Sequence, residues 1–590
     1  MKGYIGKILR VDLKEKKLTI EKLDKNIALR YIGGRGFGVN IMFNEVSANV
    51  EPLSPENKLI FATGPLTGTL APASSRYSVV SKSPLTDTIS TSNSGGFFGP
   101  MLKKAGFDAI IFEAKAKDPC YLFMDNGKPE IRSAKNIWGL DTNSTTDYII
   151  EEVGKANVAC IGIAGENLVK ISAIINDKHR AIGRGGLGAV MGSKKLKAIA
   201  CIGDKKIEVA NEKGFEDRRK EALLKLKESE ITESELKKYG TAVLVNIINE
   251  HGIFPTKNFQ YGFFENAEKI SGEKIAESIL IKKKSCFNCS IACTRVTKVN
   301  DKVGEGPEYE TIWAFGADCG IDNISAIAKA NYLCNELGLD TISTGATIAC
   351  AMELSEKKII NEKIEFGDEN SIIELTQLIA KREGIGRELC EGSYRFAKKY
   401  NATDYSMSVK KMELPAYDPR GAKGHGLAYA TSNRGGCHLK AYMISPEILG
   451  HPTKLDPFDT EYKAEFVKTF QDITAVIDST GMCLFTSFAL GIEDYLLLLR
   501  SATGIKYKLK EILKVGERIW NTERIFNIKA GLTRDEDSLP LRLRKEKIPY
   551  GPAEGNVWEG EKMLDEYYKL RGWNEKGEPK KYKLSKLGLL

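Results

Sequence analysis

Long apolar runs are missing from this 590-residue chain, and so are most of the residues that advertise metal or nucleic-acid chemistry. No uninterrupted apolar stretch approaches the ~18 residues that a membrane span needs, and the opening MKGYIGKILRVDL has no continuous apolar segment of the kind that exports a protein. The chain is therefore expected in the cytoplasm and off the membrane. Cysteine is sparse, 12 residues, too few for a secreted disulfide scaffold. Histidine numbers only 5, and there is neither an HxxxH nor a second CxxC, so a zinc site built from two ligand pairs lacks its second pair. Lys and Arg number 87 against 78 Asp and Glu, a net charge of +9, but the signs are interspersed and no basic stripe alternates with aromatics. That pattern argues against nucleic acid as a partner. The short basic clusters IKKKS and EPKKYKLSK suit an acidic protein instead.

What is present is an ordinary globular composition, 42% hydrophobic and 28% charged. The length implies roughly two to four domains. Up to residue 208, β-rich segments alternate with Gly/Pro turns: GKILRVDL and KLTIEKL across KEKK, then KLIFATGPL, RYSVVSKS, AIIFEA, CYLFMDNGKPEI, VACIGI and AIACIG. Beyond residue 210 the texture changes to charged segments of helical period: FEDRRKEALLKLKESEI, SAIAKANYLCNEL, TGATIACAMELSEKK and ITAVIDSTGMCLFTSFAL. The Pro/Gly-punctuated SVKKMELPAYDPRGAKGHG sets a second boundary near residue 406. An α+β protein is expected, with a β-sheet-rich domain over 1–208 followed by two mainly α-helical domains over 209–405 and 406–590.

Three cysteines crowd one stretch, KKKSCFNCSIACTRV, as Cys286, Cys289 and Cys293. Cys-x2-Cys-x3-Cys on one loop, completed by a distant thiolate, suits a [4Fe–4S] cluster; zinc and coincidence remain open on spacing alone. Cys483 is the best fourth ligand, because it ends one of two stretches that share a plan. NYLCNELGLDTISTGAT and TAVIDSTGMCLFTSFAL each run an apolar helix into Asx-x-x-Gly, an apolar residue, then Asp or Cys. Each Gly suits a left-handed helix stop that turns an Asx side chain and fresh backbone N–H groups to one point, so the two turns can grip one object from two sides. The run RAIGRGGLGAVMGSKK contains a literal GxGxxG at Gly183, Gly185 and Gly188, but polar NDKHRAI precedes it where a nicotinamide fold needs a buried strand. Its glycines with Arg180 and Arg184 make an anion cradle, as do Arg76, Asn93 and Gly95 in the hydroxyl-rich turns of APASSRYSVVSKSPLTDTISTSNSGGFFG.

From YIGGRGFG and GPLTGTLAPASSRYSVVSKSPLT through GPEYETIWAFG, GLDTISTGAT and LPAYDPRGAKGHGL to NRGGCH and ERIWNTERIFN, nearly the whole chain resembles the tungsten-containing aldehyde ferredoxin oxidoreductases. The resemblance implies one tungsten, with molybdenum as the alternative metal, between two pyranopterin dithiolenes beside a [4Fe–4S] cluster, with no protein ligand to the tungsten. It places the cluster on Cys286, Cys289, Cys293 and Cys483. It places a Mg²⁺ that joins the pterin phosphates on Asn93 and the carbonyl of Ala181, with Arg76, Gly95, Arg180, Gly183 and Arg184 around them. Asp340 and Asp478 would accept from the pterin edges, Leu339 and Met482 would supply backbone, and Arg434, His438 and Lys440 of NRGGCHLKAY would complete the site. Asn335 stands where the family turn carries Asp.

Glu310 of GPEYET and His438 would be the catalytic groups; Glu308 lies two residues away and would share a face with Glu310 if the segment were a strand. The activity implied is oxidation of aldehydes to carboxylic acids, reversible in principle, with electrons passing to ferredoxin. The alternatives are a relative acting on another acyl or sugar-phosphate aldehyde, a non-catalytic iron–sulfur carrier, and a nicotinamide dehydrogenase, which would need a strand before Gly183. Relatives that dimerise through an iron carry Glu-x-x-His motifs, whereas AKANYLCNEL presents Lys329 and Tyr332, so an iron-bridged homodimer is not expected. Lys282, Lys283 and Lys284 precede Cys286 and would put positive charge over the cluster.

Overall fold

A computed structural model describes all residues, 1–590. Six strands form the first sheet: β1 (Lys7–Asp12), β2 (Lys17–Lys22), β3 (Leu59–Thr63), β4 (Tyr77–Lys82), β5 (Ile89–Ser94) and β6 (Ala109–Glu113), ordered β2-β1-β6-β3-β4-β5. Only β1 and β6 run parallel, with Ile8 opposite Ala109. Central β3 reads LIFAT with every residue buried, as a strand covered on both faces must, while edge β2 turns its lysines to water and so resists further pairing. A second sheet holds β7 (Cys120–Asp125), β8 (Lys128–Ser133), β9 (Asn157–Cys160), β10 (Ile174–Asn176), β11 (Arg180–Ile182) and β12 (Leu196–Ile202), ordered β11-β10-β9-β12-β7-β8.

The strands alternate their faces, and that alternation builds the layers. Leu9, Phe61, Val79 and Ile110 of the first sheet pack on Leu122, Ile174 and Ile199 of the second. The neighbouring residues Ile60, Val80 and Ile111 point the other way, into a core shared with the C-terminal helices. Those helices belong to a mainly helical remainder: α1 (Gly34–Glu45) lies on the first sheet, and past Ile202 come α2 (Glu212–Glu228), α3 (Tyr309–Phe315), α4 (Ile324–Leu337), α5 (Thr341–Glu356), α6 (Lys423–Thr431), α7 (Lys463–Thr480) and α8 (Leu509–Lys529). Ala475 and Val476 of α7 and Ile512 and Ile519 of α8 cover the first sheet, so sequence-distant helices roof the N-terminal strands. The fold is α+β, as expected, with sheets first and helices after.

Both Asx-x-x-Gly turns stop a helix. Gly338 ends α4 at φ 76° and Gly481 ends α7 at φ 92°, the left-handed region in which a side chain is strained. Asp340 then caps α5, its carboxylate accepting from the Ile342 N–H at 3.2 Å. Two local readings differ from the sequence. The hydroxyl-rich segment before Gly95 is not a turn but strand β5, and a short hairpin, β10 with β11, precedes Gly183. That hairpin is antiparallel and at the sheet edge, and only the short helix Leu187–Ser193 follows, so the nicotinamide-binding arrangement is absent.

Candidate active site

The end of β5 meets the β10–β11 hairpin. Asn176 Nδ2 donates to the Gly95 carbonyl at 3.0 Å while its Oδ1 accepts from Ser94 Oγ at 2.7 Å. This brings Arg76, Asn93 and Gly95 to Arg180, Ala181, Gly183 and Arg184. Arg76 Nη1 donates to Asn93 Oδ1 at 3.1 Å, and Asn93 Nδ2 donates to Asp478 Oδ1 at 2.9 Å, which ties the sheet to the second Asx turn. The first turn is tied in the same way, by Arg184 Nε to Asp340 Oδ2 at 3.2 Å. Arg184 also donates to the carbonyls of Gly436 at 2.6 Å and Glu413 at 2.7 Å. Arg180 turns to Thr294 Oγ and to Glu305 at 3.3 Å. Asn335 is buried on α4, its carbonyl taking Thr142 Oγ–H at 2.8 Å, and Leu339 and Met482 follow the two stop glycines.

Asp478 is the best-held carboxylate here. Lys440 Nζ donates to its Oδ2 at 2.9 Å and Arg35 Nη1 at 3.3 Å, while Arg35 also grips Glu523 with two bonds of 2.8 Å. Burial pushes the Asp478 carboxyl up, but Lys440 and Arg35 outweigh it and leave it below its ordinary value. Burial brings Lys440 down to about 8, with the Arg35 cation adding to it. Arg434 donates to the Thr91 carbonyl at 2.7 Å and to Cys437 Sγ at 2.9 Å. Cys437 is consequently held low against its own burial by Arg434 and Lys440. Arg76 Nε and Arg434 Nε are buried without partners. Buried cations in excess of carboxylates, with unspent N–H donors, fit an anionic group such as a phosphate.

The cysteine loop docks on this cradle. The Cys483 N–H donates to the Ala73 carbonyl at 3.0 Å, and the Ala73 N–H to the Asn288 carbonyl at 2.7 Å. Arg76 Nη2 donates to Cys483 Sγ at 3.1 Å, and a Cβ on Gly95 would stand 2.9 Å from Cys286 Sγ. Burial works against the Arg76 cation, yet Cys483, Cys286 and Cys293 hold its pKa above its ordinary value, so thiols from both chain segments surround it. Burial pushes Cys289 up to about 11, with Cys483 adding to it.

Glu308 and Glu310 are on a helix start, not a strand, and they diverge. Glu308 stands at the N-terminal boundary of α3 without a capping bond from its side chain, which accepts from Thr241 Oγ at 2.5 Å; Glu310, in the first turn, faces His438. Glu310 Oε2 accepts from the Ala416 N–H at 3.0 Å, while its Oε1 is unpartnered and 3.5 Å from His438 Nε2. Burial raises the Glu310 carboxyl to about 8. Burial, with the Arg184 cation and His425 behind it, holds His438 well below its ordinary value and so neutral. Sequence reasoning missed the walls of this pair. Tyr417 lies 6.0 Å from His438, 5.1 Å from His425 and 5.8 Å from Tyr442, ring centre to ring centre. His425 is buried with both ring nitrogens unpartnered. Its signal was the isolated histidine in KGHG, and nothing in YIGGRGFG distinguished Arg35 before Asp478 was in place. Tyr332, where an iron ligand would stand, is buried against Thr297 at 2.7 Å, and Lys329 is exposed.

Such an arrangement joins a buried carboxylate–histidine pair to a cationic cradle and a group of thiols, and comparison with known proteins gives the family. The model "Aldehyde ferredoxin oxidoreductase, N-terminal domain" matches residues 8–203, and "Aldehyde ferredoxin oxidoreductase, domains 2 & 3" matches 218–589. The tungsten-containing aldehyde ferredoxin oxidoreductase of Pyrococcus abyssi is 52% identical over 604 residues, covering 100% of this chain and 99% of that protein. Its counterpart in Pyrococcus furiosus is 51% identical over 603 residues, with the same coverage. Among solved structures, the active-site complex BamBC of benzoyl coenzyme A reductase with 1,5-dienoyl-CoA superimposes at a TM-score of 0.87 with 26% identity, covering 100% of this chain and 97% of that one. The chain belongs to the aldehyde ferredoxin oxidoreductase family and is an oxidoreductase.

Proposed function

We propose that this enzyme oxidises aldehydes to carboxylic acids, reversibly in principle, and passes the electrons to ferredoxin. The names of its relatives supply substrate class and acceptor. The observation that carries the reading in this chain is the unpartnered Glu310 Oε1 set 3.5 Å from neutral His438. The residues fit a tungsten, or molybdenum, bis-pyranopterin: Arg76, Arg180, Arg184 and Arg434 with Gly95 and Gly183 would hold its phosphates. Asn93 and the Ala181 carbonyl would hold Mg²⁺, and Asp340, Asp478, Leu339, Met482, Asn335, His438 and Lys440 would line the rings. Cys286, Cys289, Cys293 and Cys483 would hold a [4Fe–4S] cluster. When bound, the tungsten centre supplies a two-electron oxidant and the cluster a one-electron outlet.

Converting RCHO and water to RCOOH releases two electrons and two protons. Glu310, whose pKa near 8 makes it a working base near neutrality, takes a proton from the attacking water. His438, held neutral, keeps an N–H to donate to the aldehyde oxygen, where negative charge grows. The rings of Tyr309 and Tyr417 wall this pair and keep bulk water from it. Protein purified without oxygen should carry about four irons and one tungsten or molybdenum per chain and reduce a redox dye when given an aldehyde. Stoichiometric zinc without iron, or a fully metallated protein inert to aldehydes, overturns the reading.

A further inference from the structure

His425 stands beside the Glu310–His438 pair and has no part in the chemistry above. Tyr417 links them, its ring centre 6.0 Å from that of His438 and 5.1 Å from that of His425. The His425 imidazole is fully buried and neither nitrogen has a partner. Three tyrosines box it edge-on: Tyr429, Tyr417 and Tyr442 have ring centres 4.5, 5.1 and 6.1 Å away at interplanar angles of 69, 75 and 88°. Their hydroxyls are spent elsewhere. Those of Tyr417 and Tyr442 pair with each other at 3.0 Å, and that of Tyr429 donates to the carbonyls of Pro415 and Tyr417 at 3.4 Å each. The ring is nonetheless held in place, because the Gly424 and His425 N–H groups in the first turn of α6 donate to the Glu447 carboxylate at 2.8 and 2.9 Å, and Lys463 Nζ pairs with that carboxylate at 2.7 Å. A Cβ on Gly424 would stand 2.9 Å from Glu447 Oε1, so glycine there leaves the carboxylate room. Burial brings His425 down to about 3, so the ring is neutral, with one N–H donor and one lone-pair nitrogen. A phenyl ring would pack edge-on as well without burying two unpaired polar atoms. Nor is the box sealed: Tyr442 is half-buried and meets half-buried Phe488, ring centres 6.0 Å apart.

We propose that His425 is a specificity residue that takes, by hydrogen bond, a hydroxyl carried by the aldehyde substrate away from its reacting carbon. This rests on the aldehyde-oxidation reading and names a substrate class for it, hydroxylated aldehydes. A hydroxyl suits a neutral imidazole because it can accept from the N–H or donate to the bare nitrogen. A phosphate or carboxylate substituent does not: burial alone depresses the His425 ring, no cation is at hand in the tyrosine box, and the anion would be buried unpaired. The test compares kcat/KM in the metallated enzyme, with a dye as acceptor, for meta-hydroxybenzaldehyde and para-hydroxybenzaldehyde against benzaldehyde, and for para-hydroxyphenylacetaldehyde against phenylacetaldehyde. Reading each hydroxyl-to-parent ratio in variant and unaltered enzyme cancels the electronic effect of the hydroxyl on the carbonyl. His425→Phe, which keeps a ring against Tyr417, Tyr429 and Tyr442, should lower the ratio ~10-fold for at least one pair, the worth of one buried hydrogen bond. His425→Gln, which returns a donor and an acceptor, should recover part of it. His425→Phe should also fold at least as stably as the parent, since carbon replaces buried polar atoms that have no partner. Ratios unchanged in both variants overturn the assignment. A His425→Phe protein that fails to fold does so too, because nitrogens needed for folding are bonded within the chain. A fully metallated parent that oxidises no aldehyde would instead remove the activity on which the assignment rests.

Discussion

At the residue scale, the proposed chemistry turns on one carboxylate whose environment would decide its role. Glu310 is buried and ordinary solvation is lost, so its proton is held to about pH 8. A base with a raised pKa works only once deprotonated, so turnover with a dye acceptor should climb as pH rises towards 8 and level off above it. Glu310→Gln should keep iron and tungsten in place, lose ~10²–10⁴-fold in rate, and lose that rise with pH. A metallated Glu310→Gln enzyme with near-parent rates would move the proton transfer to another group. Arg35 makes the complementary case of a residue that acts on other side chains. It holds Asp478 and Glu523 together while fully buried, so Arg35→Leu leaves two carboxylates short of a cation and should cost ~3–5 kcal/mol of stability. Thermal unfolding should show that loss together with a lower tungsten content, and Arg35→Lys should recover part of both.

At the element scale, legibility followed how local the cause was. The helix stops at Gly338 and Gly481 were readable because a left-handed stop needs glycine and an apolar helix pattern ends there. The convergence of the three-cysteine loop with Cys483, through Ala73 and Asn288, follows the spacing and the place of Cys483 at the end of a turn. Strand β5 was not: ISTSNS has no apolar alternation and is buried by its neighbours rather than by its own hydrophobicity. Helix α1 was hidden for a related reason, since GGRGFG reads as a flexible turn. In the structure a Cβ on Gly34 would stand 2.5 Å from the Asp478 carbonyl oxygen, so the glycines let α1 approach the backbone of α7 just before its stop at Gly481. The orientation of Glu308 against Glu310 also escaped, because on a strand residues two apart share a face, whereas at the start of α3 they diverge. These turns carry a prediction of their own. Gly338→Ala puts a side chain at φ 76° and 2.8 Å from the Gly162 nitrogen. The left-handed strain alone costs ~1–2 kcal/mol, so the denaturant midpoint should fall by at least that equivalent. An unchanged midpoint would mean the turn is not rigid.

At the scale of the whole molecule, the site is sewn from pieces that the chain keeps far apart: residues 76–95 and 180–184 on the sheets, the turns at 335–340 and 478–483, and the loop at 434–440. Direct bonds such as Asn93 to Asp478 and Arg184 to Asp340 join the sheets to the helices across that seam. The same seam gathers Arg76, Arg180, Arg184, Arg434 and Lys440; burial is the main cause that brings Lys440 down to about 8, and repulsion from Arg35 and Arg434 adds to it. An anion placed among them relieves that repulsion and pulls the two sides together. A ligand that binds only the folded state stabilises it by RT ln(1 + [L]/Kd), ~2.7 kcal/mol at a hundred times Kd. Apoprotein made without tungsten should therefore unfold at a lower temperature than holoprotein, and inorganic pyrophosphate should restore part of the difference. That restoration should weaken with salt, which screens the more open part of the cradle, and should shrink in Arg76→Gln, which removes a guanidinium whose Nε has no partner within the chain. An apoprotein midpoint indifferent to pyrophosphate would show that the cationic seam is balanced by its own carboxylates and does not wait for phosphate.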